Sequence, residues 1–545
     1  MTIYTHFSRA VRTDLHLSGF EVSQIGQIVG ARLDEDFFDD ESLTSVSEKL
    51  NLFNGFYAIC WSRPGLLFAA VDQVRSFPLF YAIGCTDFYL SDSAEWVKLQ
   101  IGDAEMCKLA KQEFVMTGCV TGPDTLYKNV KQLQAGEVLE VRDVNGKTAL
   151  RSRRYYNFKH TEPAAFDEEL LLRKLNAAAS SAIDNLISFA NGRQIVVPLS
   201  GGFDSRLIAT LLKEKKYPNV LTFSYGLVDN KESLFSKEVA SSLGLEWIFV
   251  EYNSQRWGKM VDSPERWKYQ LAASNLSSLP HIQDWIAVEV LKSDRSVEKD
   301  CIFVPGHSAD FVAGSHIPER AFIDKSFSRA TVLDAIFDTW FTQCPLDQVE
   351  FEKPVWLDRI SRSTPVQADN LPWEYADRFE HWDWQERQAK YICNSVRVYE
   401  FFGYSWWMPF WDRVFMDFWL DVPLQLRQER VWYKTYVQNK YLENVNLEQA
   451  TNLGNAVDDP WVISYLRKSS VFRVKGLRML ASMVWQSLRR MIGSHDSLAL
   501  GMLIPVQKYR KLDRQGYKLL GMLSLEFLGE YADLEKARDK TDNDR

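Results

Sequence analysis

Long uncharged apolar runs are missing from this chain of 545 residues, which excludes a membrane-spanning helix of about 20 apolar residues. Paired cysteine motifs are missing too. The seven cysteines (Cys60, Cys85, Cys107, Cys119, Cys301, Cys344 and Cys393) are scattered, odd in number and never in a C-x-x-C arrangement. That argues against a zinc site or a disulfide framework and suits a reducing cytoplasm. The start, Met1-Thr2-Ile3-Tyr4-Thr5-His6, lacks the basic and apolar regions of a signal peptide. Positive charge is not in excess either: the formal net charge of −8 argues against broad binding of nucleic acid or anionic membranes. Neither a Walker A Gly-Lys-Ser/Thr nor a G-x-G-x-x-G is present. These absences leave a soluble, cytoplasmic chain long enough for two domains of ordinary size.

What is there is the run Pro198-Leu199-Ser200-Gly201-Gly202-Phe203-Asp204-Ser205-Arg206. It follows Gln194-Ile195-Val196-Val197, a β-branched run expected as a strand buried on both faces, and it opens the helical-looking Leu207-Ile208-Ala209-Thr210-Leu211-Leu212. Gly201 and Gly202 would allow unusual backbone angles and close approach, so that backbone N–H groups at a helix N-terminus face phosphate oxygens. The hydroxyls of Ser200 and Ser205 add donors. Asp204 would repel a bare phosphate, so its presence points to a divalent cation between the two, and hence to a Mg-nucleotide. The plain alternative is a Ser/Gly-rich turn capped by Asp or Ser.

Up to about Phe158 the sequence has short β-rich runs, such as Phe56-Tyr57-Ala58-Ile59-Cys60-Trp61 and Leu66-Leu67-Phe68-Ala69-Ala70-Val71, split by Gly, Pro and Asp turns. A polar link, Lys159-His160-Thr161-Glu162-Pro163, precedes a helix expected over Phe166 to Ala190. Beyond it strands and helices alternate: a strand over 194–199, a helix over 205–215, the strand Asn219 to Ser224, a helix through Val239 and the strand Trp247 to Glu251. That order predicts a parallel sheet with helices on both faces and ligands outside the strand C-termini. After Phe311 the pattern is mainly helical, with Trp382, Trp384, Trp406, Trp407 and Trp411 read as core in preference to cleft walls. The expected division is 1–160, 165–535 and a disordered tail over 536–545. A basic amphipathic stretch from Phe472 to Arg490 reads either as a packed helix with a solvated face or as a membrane or partner contact.

These residues resemble the asparagine synthetase family, whose second domain is an ATP pyrophosphatase of the SGGxDS kind. In the first region Leu52-Phe53-Asn54-Gly55-Phe56-Tyr57-Ala58 is similar to the family's "L.G.FA" strand, and Val71-Asp72 with Phe77-Pro78-Leu79-Phe80-Tyr81 to its "RD…KPLYY" hairpin. Thr125-Leu126-Tyr127, Leu133-Gln134-Ala135-Gly136 and Arg154-Tyr155-Tyr156 resemble "TLF…LPPG…RYW". Thr222-Phe223-Ser224-Tyr225-Gly226 resembles the "TFSIGF" strand, and Ile302 to Gly314 the "LSGEGADELFGG" turn. Met408-Pro409-Phe410-Trp411-Asp412 resembles "VPFLD", and Lys434 stands at the lysine of the following "G..K..LR" element.

The resemblance implies an N-terminal β-rich αββα domain of the Ntn-hydrolase kind and a PP-loop α/β domain with a helical C-terminal part. It implies nucleotide contacts at Leu199, Ser200, Gly201, Gly202, Asp204, Ser205, Phe223, Ser224 and Gly306. It also implies Mg²⁺ at Asp204 and Asp310, with Lys434 stabilising negative charge at the α-phosphate. Alone, Asp310 would read as a helix cap and Lys434 as a solvated surface lysine. The family's glutaminase needs a cysteine where this sequence has Thr2, and its "RL.I.D" and "NGEIYN" elements are absent, so a degenerate first domain without glutamine hydrolysis is expected. His307 and Phe311 replace two glutamates of the synthetase turn; a neutral His307 can take a proton from an attacking amine. Glutaminase-deficient relatives such as β-lactam synthetases and lasso-peptide cyclases share the lack of the N-terminal cysteine.

The expected function is thus an AMP-forming amide ligase using ATP and Mg²⁺ to join a small-molecule or peptide carboxylate to ammonia or an amine. No nucleic-acid partner is expected, and a homodimer is compatible with the sequence. The rival is a catalytically silent nucleotide-binding protein that uses its first domain for protein contacts.

Overall fold

The computed structural model describes residues 2–9, 12–30, 33–84, 87–261, 263–324, 327–364, 371–445 and 500–543. The basic stretch at 472–490 lies outside the described residues.

The first region is β-rich. Strands β1 (Thr2–His6), β7 (Asp87–Ser91), β6 (Phe80–Ile83) and β8 (Lys131–Gln132) form one sheet in that order, with β1 parallel to β7 and the other pairs antiparallel. A six-stranded antiparallel sheet runs β10-β9-β5-β4-β3-β2, with β2 at Arg12–Leu17, β3 at Phe20–Val29, β4 at Asn54–Arg63, β5 at Leu66–Val71, β9 at Glu137–Val144 and β10 at Lys147–Arg154. The central β5 is apolar throughout and buried along its whole length, whereas the edge strands β2 and β10 are charged and mostly exposed. Charge on an exposed edge discourages pairing with another chain.

The polar link is tied down on both sides. The backbone N–H of His160 donates to Asp377 Oδ1 at 2.6 Å and that of Thr161 to the Leu420 carbonyl at 2.8 Å. A helix then runs Glu168–Ala190, capped by the Asp167 carboxylate, with buried residues recurring at three- and four-residue spacing from Leu171 to Ala190. One continuous core extends from Phe7 through this helix to Val437, so β-rich and α/β regions share buried apolar surface.

Five parallel strands form the second sheet in the order β13-β12-β11-β14-β15: Glu246–Glu251, Val220–Gly226, Ile195–Pro198, Ile302–Phe303 and Ser405–Trp406. The chain moves outward from β11 to β13, then returns to the other side of β11 with β14. That reversal opens a crevice between the C-terminal ends of β11 and β14, where an open α/β sheet accepts ligands. Helices Phe203–Glu214 and Lys231–Leu243 lie in the positions expected from the apolar spacing.

Past Phe311 the structure is mainly helical, and the five tryptophans are all buried, at 0–5% exposure. One feature escapes sequence periodicity: Asp383–Ile392 is π-helical, in line with Pro372–Trp382. At the other end, a helix spans Leu519–Asn543, running through positions expected to be disordered. The segment from Lys536 to Asp542 carries charges of both signs and no glycine or proline, a composition that permits helix continuation as readily as disorder. No helix among the described residues is long and apolar enough to cross a membrane.

Candidate active site

Residues 199–202 leave β11 and enter the helix Phe203–Glu214 at the crevice. Leu199 is buried and its N–H donates to the Phe223 carbonyl at 2.8 Å, pinning the loop to β12. The Ser200 N–H donates to Ser205 Oγ at 3.0 Å, the two serine oxygens lie 3.2 Å apart, and the Gly202 N–H donates to Ser200 Oγ at 3.1 Å. Both hydroxyls therefore hold the loop in shape as it stands.

The expected use of Gly201 and Gly202 needs correcting. Gly202 has φ −73°, and neither glycine is among those with positive φ. At Gly202 the contribution is space: a Cβ there would meet Ser200 Oγ at 3.2 Å. A tighter approach is that of Gly306, after β14, where a Cβ would stand 2.7 Å from the Ser205 nitrogen and 3.1 Å from its Cα. Only a glycine lets the β14 turn lie against the first turn of the β11 helix without movement.

That close approach brings two carboxylates together. Asp204 Oδ2 accepts the Asp310 backbone N–H at 3.0 Å, and Asp204 Oδ1 accepts the Tyr433 hydroxyl at 2.9 Å. Asp310 Oδ2 accepts from the Ser315 hydroxyl at 3.0 Å. Burial, together with the charge of Asp310, pushes the Asp204 carboxyl up to about 7, against the pull of the Tyr433 hydrogen bond. Sequence reasoning misses Tyr433. It is one aromatic in an aromatic-rich segment, and its only signal is adjacency to Lys434. Lys434 is half-buried on the same helix, Val431–Asn444.

Arg206 is missed as well. Its guanidinium is buried, donates to the Gly201 carbonyl at 3.3 Å and lies over the rings of Phe203, Phe235 and Tyr441 at 5.0, 4.7 and 5.4 Å. Phe223 is fully buried with its ring edge-on to Phe303 at 5.9 Å, so its side chain is core. Ser224 is buried with no hydrogen-bond partner for its hydroxyl.

His307 Nε2 lies 2.6 Å from Ser395 Oγ. Burial depresses the imidazole pKa, while Asp284 and Asp310 act to raise it. Next to it, the Ser308 hydroxyl donates to Gln388 Oε1 at 3.0 Å, and His316 Nδ1 sits 2.6 Å from Asp383 Oδ2, both partners coming from the π-helical stretch. Among the described residues no three His, Cys, Asp or Glu side chains cluster as a metal cage.

Residues 190–442 match the family model described as asparagine synthase. Over that span the chain is similar to the asparagine synthase family. Asparagine synthetase [glutamine-hydrolyzing] 1 of Bacillus subtilis (strain 168) is 27% identical over 208 residues, 37% of this chain and 31% of that protein. Microcin J25-processing protein McjC of Escherichia coli is 24% identical over 321 residues, 58% of this chain and 57% of that protein. The chain thus spans about a third and somewhat over half of these curated relatives. Among solved structures, an NH3-dependent NAD synthetase from Campylobacter jejuni is similar over 28% of this chain and 62% of its own, with 19% identity and a TM-score of 0.20.

Proposed function

We propose that this chain is an ATP-dependent, AMP-forming amide ligase. The observation that carries the reading is the meeting of Asp204 and Asp310 where the strand order reverses, beside a serine- and glycine-rich loop at a helix N-terminus. The similarity to the asparagine synthase family supports the reaction class. The residues present suit a bound Mg²⁺: two adjacent carboxylates, with only two donors on Asp204, leave lone pairs that a hard cation shared with phosphate oxygens would take up. When bound, the cation neutralises the charge of the phosphates and polarises them.

The chain's own groups then divide the work. In the first step an oxygen of the substrate carboxylate attacks the α-phosphorus of ATP, and pyrophosphate departs. Loop backbone N–H groups and the helix N-terminus favour the pyrophosphate charge. Lys434 is assigned to the charge at the α-phosphate, and Leu199, Phe223 backbone, Ser224 and Gly306 to the nucleotide. In the second step the amine nitrogen attacks the acyl carbon and AMP leaves. His307, whose depressed pKa keeps it neutral and whose Nε2 faces Ser395, accepts the proton that the nitrogen loses. Glutamine hydrolysis has no place in this reading: Cys60, the first cysteine, is buried in β4 and its thiol is pushed up to about 12 by burial.

The test is pyrophosphate release by the purified chain with ATP, Mg²⁺ and aspartate, supplied with ammonium or with glutamine. Release with ammonium alone supports an ammonia-using ligase. Release with glutamine overturns the loss of the glutaminase. ATP binding without release, across aspartate and peptide carboxylates, favours the silent nucleotide-binding protein.

A further inference from the structure

Near His307 lies a second carboxylate site, at Asp284, whose place in the reaction rests on the ligase reading and whose ligand chemistry does not. Asp284 occupies the N-cap of the helix Trp285–Ser293, yet its side chain makes no cap hydrogen bond. A capping aspartate ordinarily accepts an N–H from the first helical turn. Here the carboxylate is turned instead toward two phenols: Tyr225, near the C-terminal end of β12, donates to Oδ1, and Tyr399 donates to Oδ2 at 2.6 Å. Gln283 Nε2 donates to the Tyr225 oxygen at 3.2 Å, fixing the phenol from behind.

The walls are aromatic. Tyr225 stacks on Tyr252 with centroids 5.1 Å apart, and Tyr399 stacks on Phe303 at 4.5 Å. Asp284 itself is half-buried, and among the described residues the phenols are its bonded partners, with no lysine or arginine paired to it. Two tyrosine bonds use two of roughly four acceptor positions on an ionised carboxylate. A half-buried carboxylate framed by tyrosine rings and with no paired lysine or arginine among the described residues suits a cation that donates hydrogen bonds, as a primary ammonium does.

Its place relative to the chemistry is set by one helical run. Ser395, which meets His307, and Tyr399, which meets Asp284, are four residues apart along the helical turns Cys393–Val396 and Arg397–Phe401. Residues spaced i and i+4 share a helix face about 6 Å apart. We propose that Asp284, Tyr225 and Tyr399 form the binding site for the ammonium form of the nitrogen nucleophile, beside His307. The bound R–NH₃⁺ gives one proton to solvent to become R–NH₂, the N–C bond then forms as the acyl–oxygen bond to AMP breaks, and His307 accepts the second proton from the attacking nitrogen. A substrate presenting a carboxylate at this position would be repelled, so the activated acid belongs at the Asp204 side with its charge masked by the cation.

The site can be tested without catalysis. Saturation-transfer NMR on the full chain, with methylammonium as probe and acetate as control, should show transfer to methylammonium and little to acetate. In Asp284→Asn the methylammonium signal should fall about tenfold, and in Tyr399→Phe about threefold. Unchanged transfer in a folded Asp284→Asn, no transfer in the unmodified chain, or equal transfer to acetate overturns the site. Should Asp284→Asn fail to fold, Tyr399→Phe decides, since it removes only a hydroxyl. Where the ligase is active, Asp284→Asn should raise KM for ammonium about tenfold, a larger change than in kcat. An absence of pyrophosphate release in the unmodified chain refutes the ligase reading and leaves the methylammonium result standing by itself.

Discussion

Asp72, in the β-rich region, and Asp204, at the crevice, are both carboxylates held away from bulk water, and their surroundings differ in kind. Asp72 is fully buried and fully answered: the N–H groups of Tyr57 and Val74, each at 2.9 Å, and both the N–H and hydroxyl of Ser76 converge on it. Even so, burial pushes its carboxyl up to about 6. Asp204 receives two donors, faces another carboxylate and is pushed up to about 7. The first has its hydrogen-bonding capacity spent inside the fold; the second has capacity left over and like charge beside it. A carboxylate whose donors are complete is scaffold, and one short of donors and next to its own kind is waiting for a cation.

The sharpest way to break that contrast is Asp204→Asn. Asparagine keeps the shape and loses the charge, so ATP-dependent pyrophosphate formation should fall by at least about 10³-fold, as expected when a principal electrostatic group is removed. The melting temperature of the nucleotide-free chain should hold or rise. A variant retaining more than a tenth of the rate would move Asp204 into the scaffold class.

Asp72→Ala should show the reverse. It strands several buried donors and loosens a turn that ties the β-rich region to the helices, where Trp384 Nε1 donates to the Gln73 carbonyl at 2.9 Å and Arg397 to the Ser76 carbonyl at 2.6 Å. A loss of about 3 kcal/mol in denaturant unfolding is expected, with the rate per folded molecule within about threefold at low temperature. Equal loss of rate and stability would mean the two regions are not separable.

How much of this is legible in the sequence follows the same divide. Strand β11, the helix after it and the alternation through β13 are readable because each carries either an unbroken apolar run or a helical apolar spacing, and these residues sit in buried clusters on the sheet. The partners of the site are not, since Tyr433, Asp284 and Tyr399 reach it from separate elements and carry no local motif. Asp284 in particular reads as an ordinary helix cap until its side chain is seen turned away. The π-helical Asp383–Ile392 is hidden because its buried polar residues, among them Glu386 and Lys390, break the apolar pattern while pairing with one another. At Gly202 the sequence shows the right residue type for half of the expected reason: the loop needs close approach and not an unusual backbone angle, and the stricter need for room lies about a hundred residues on at Gly306.

Gly306→Ala therefore probes the junction between the two strand ends. A methyl at 2.7 Å from the Ser205 nitrogen meets backbone, which has little freedom to retreat. Overpacking of that kind should cost about 1–3 kcal/mol in unfolding free energy. It should also part Asp310 from Asp204 and weaken ATP binding, measured by calorimetry. A variant that is destabilised yet binds ATP normally would show that the carboxylate pair tolerates displacement.

The smallest expected effect, and the one that reads the contrast directly, is the pH dependence of stability without Mg²⁺. An aspartate in an unfolded chain titrates near about 3.9, while Asp204 in the folded chain is raised to about 7. Between those values the folded state holds more protons than the unfolded state, so stability falls as pH rises through the window and levels off above it. Asp72 contributes the same sign up to about 6 and the buried Glu380 up to about 7, so the share of Asp204 in the last unit of the window is the part that its replacement removes. Unfolding in denaturant at several pH values should show a decline of about 1 kcal/mol there, discounted because Asp204 is partly open to solvent. The decline should shrink in Asp204→Asn, and in the unmodified chain once Mg²⁺ and ATP are added, because a cation at the carboxylate pair replaces the proton, leaving the part that Glu380 contributes. A slope left unchanged by both would place the surplus proton wholly on other groups and remove the distinction between an answered carboxylate and a waiting one.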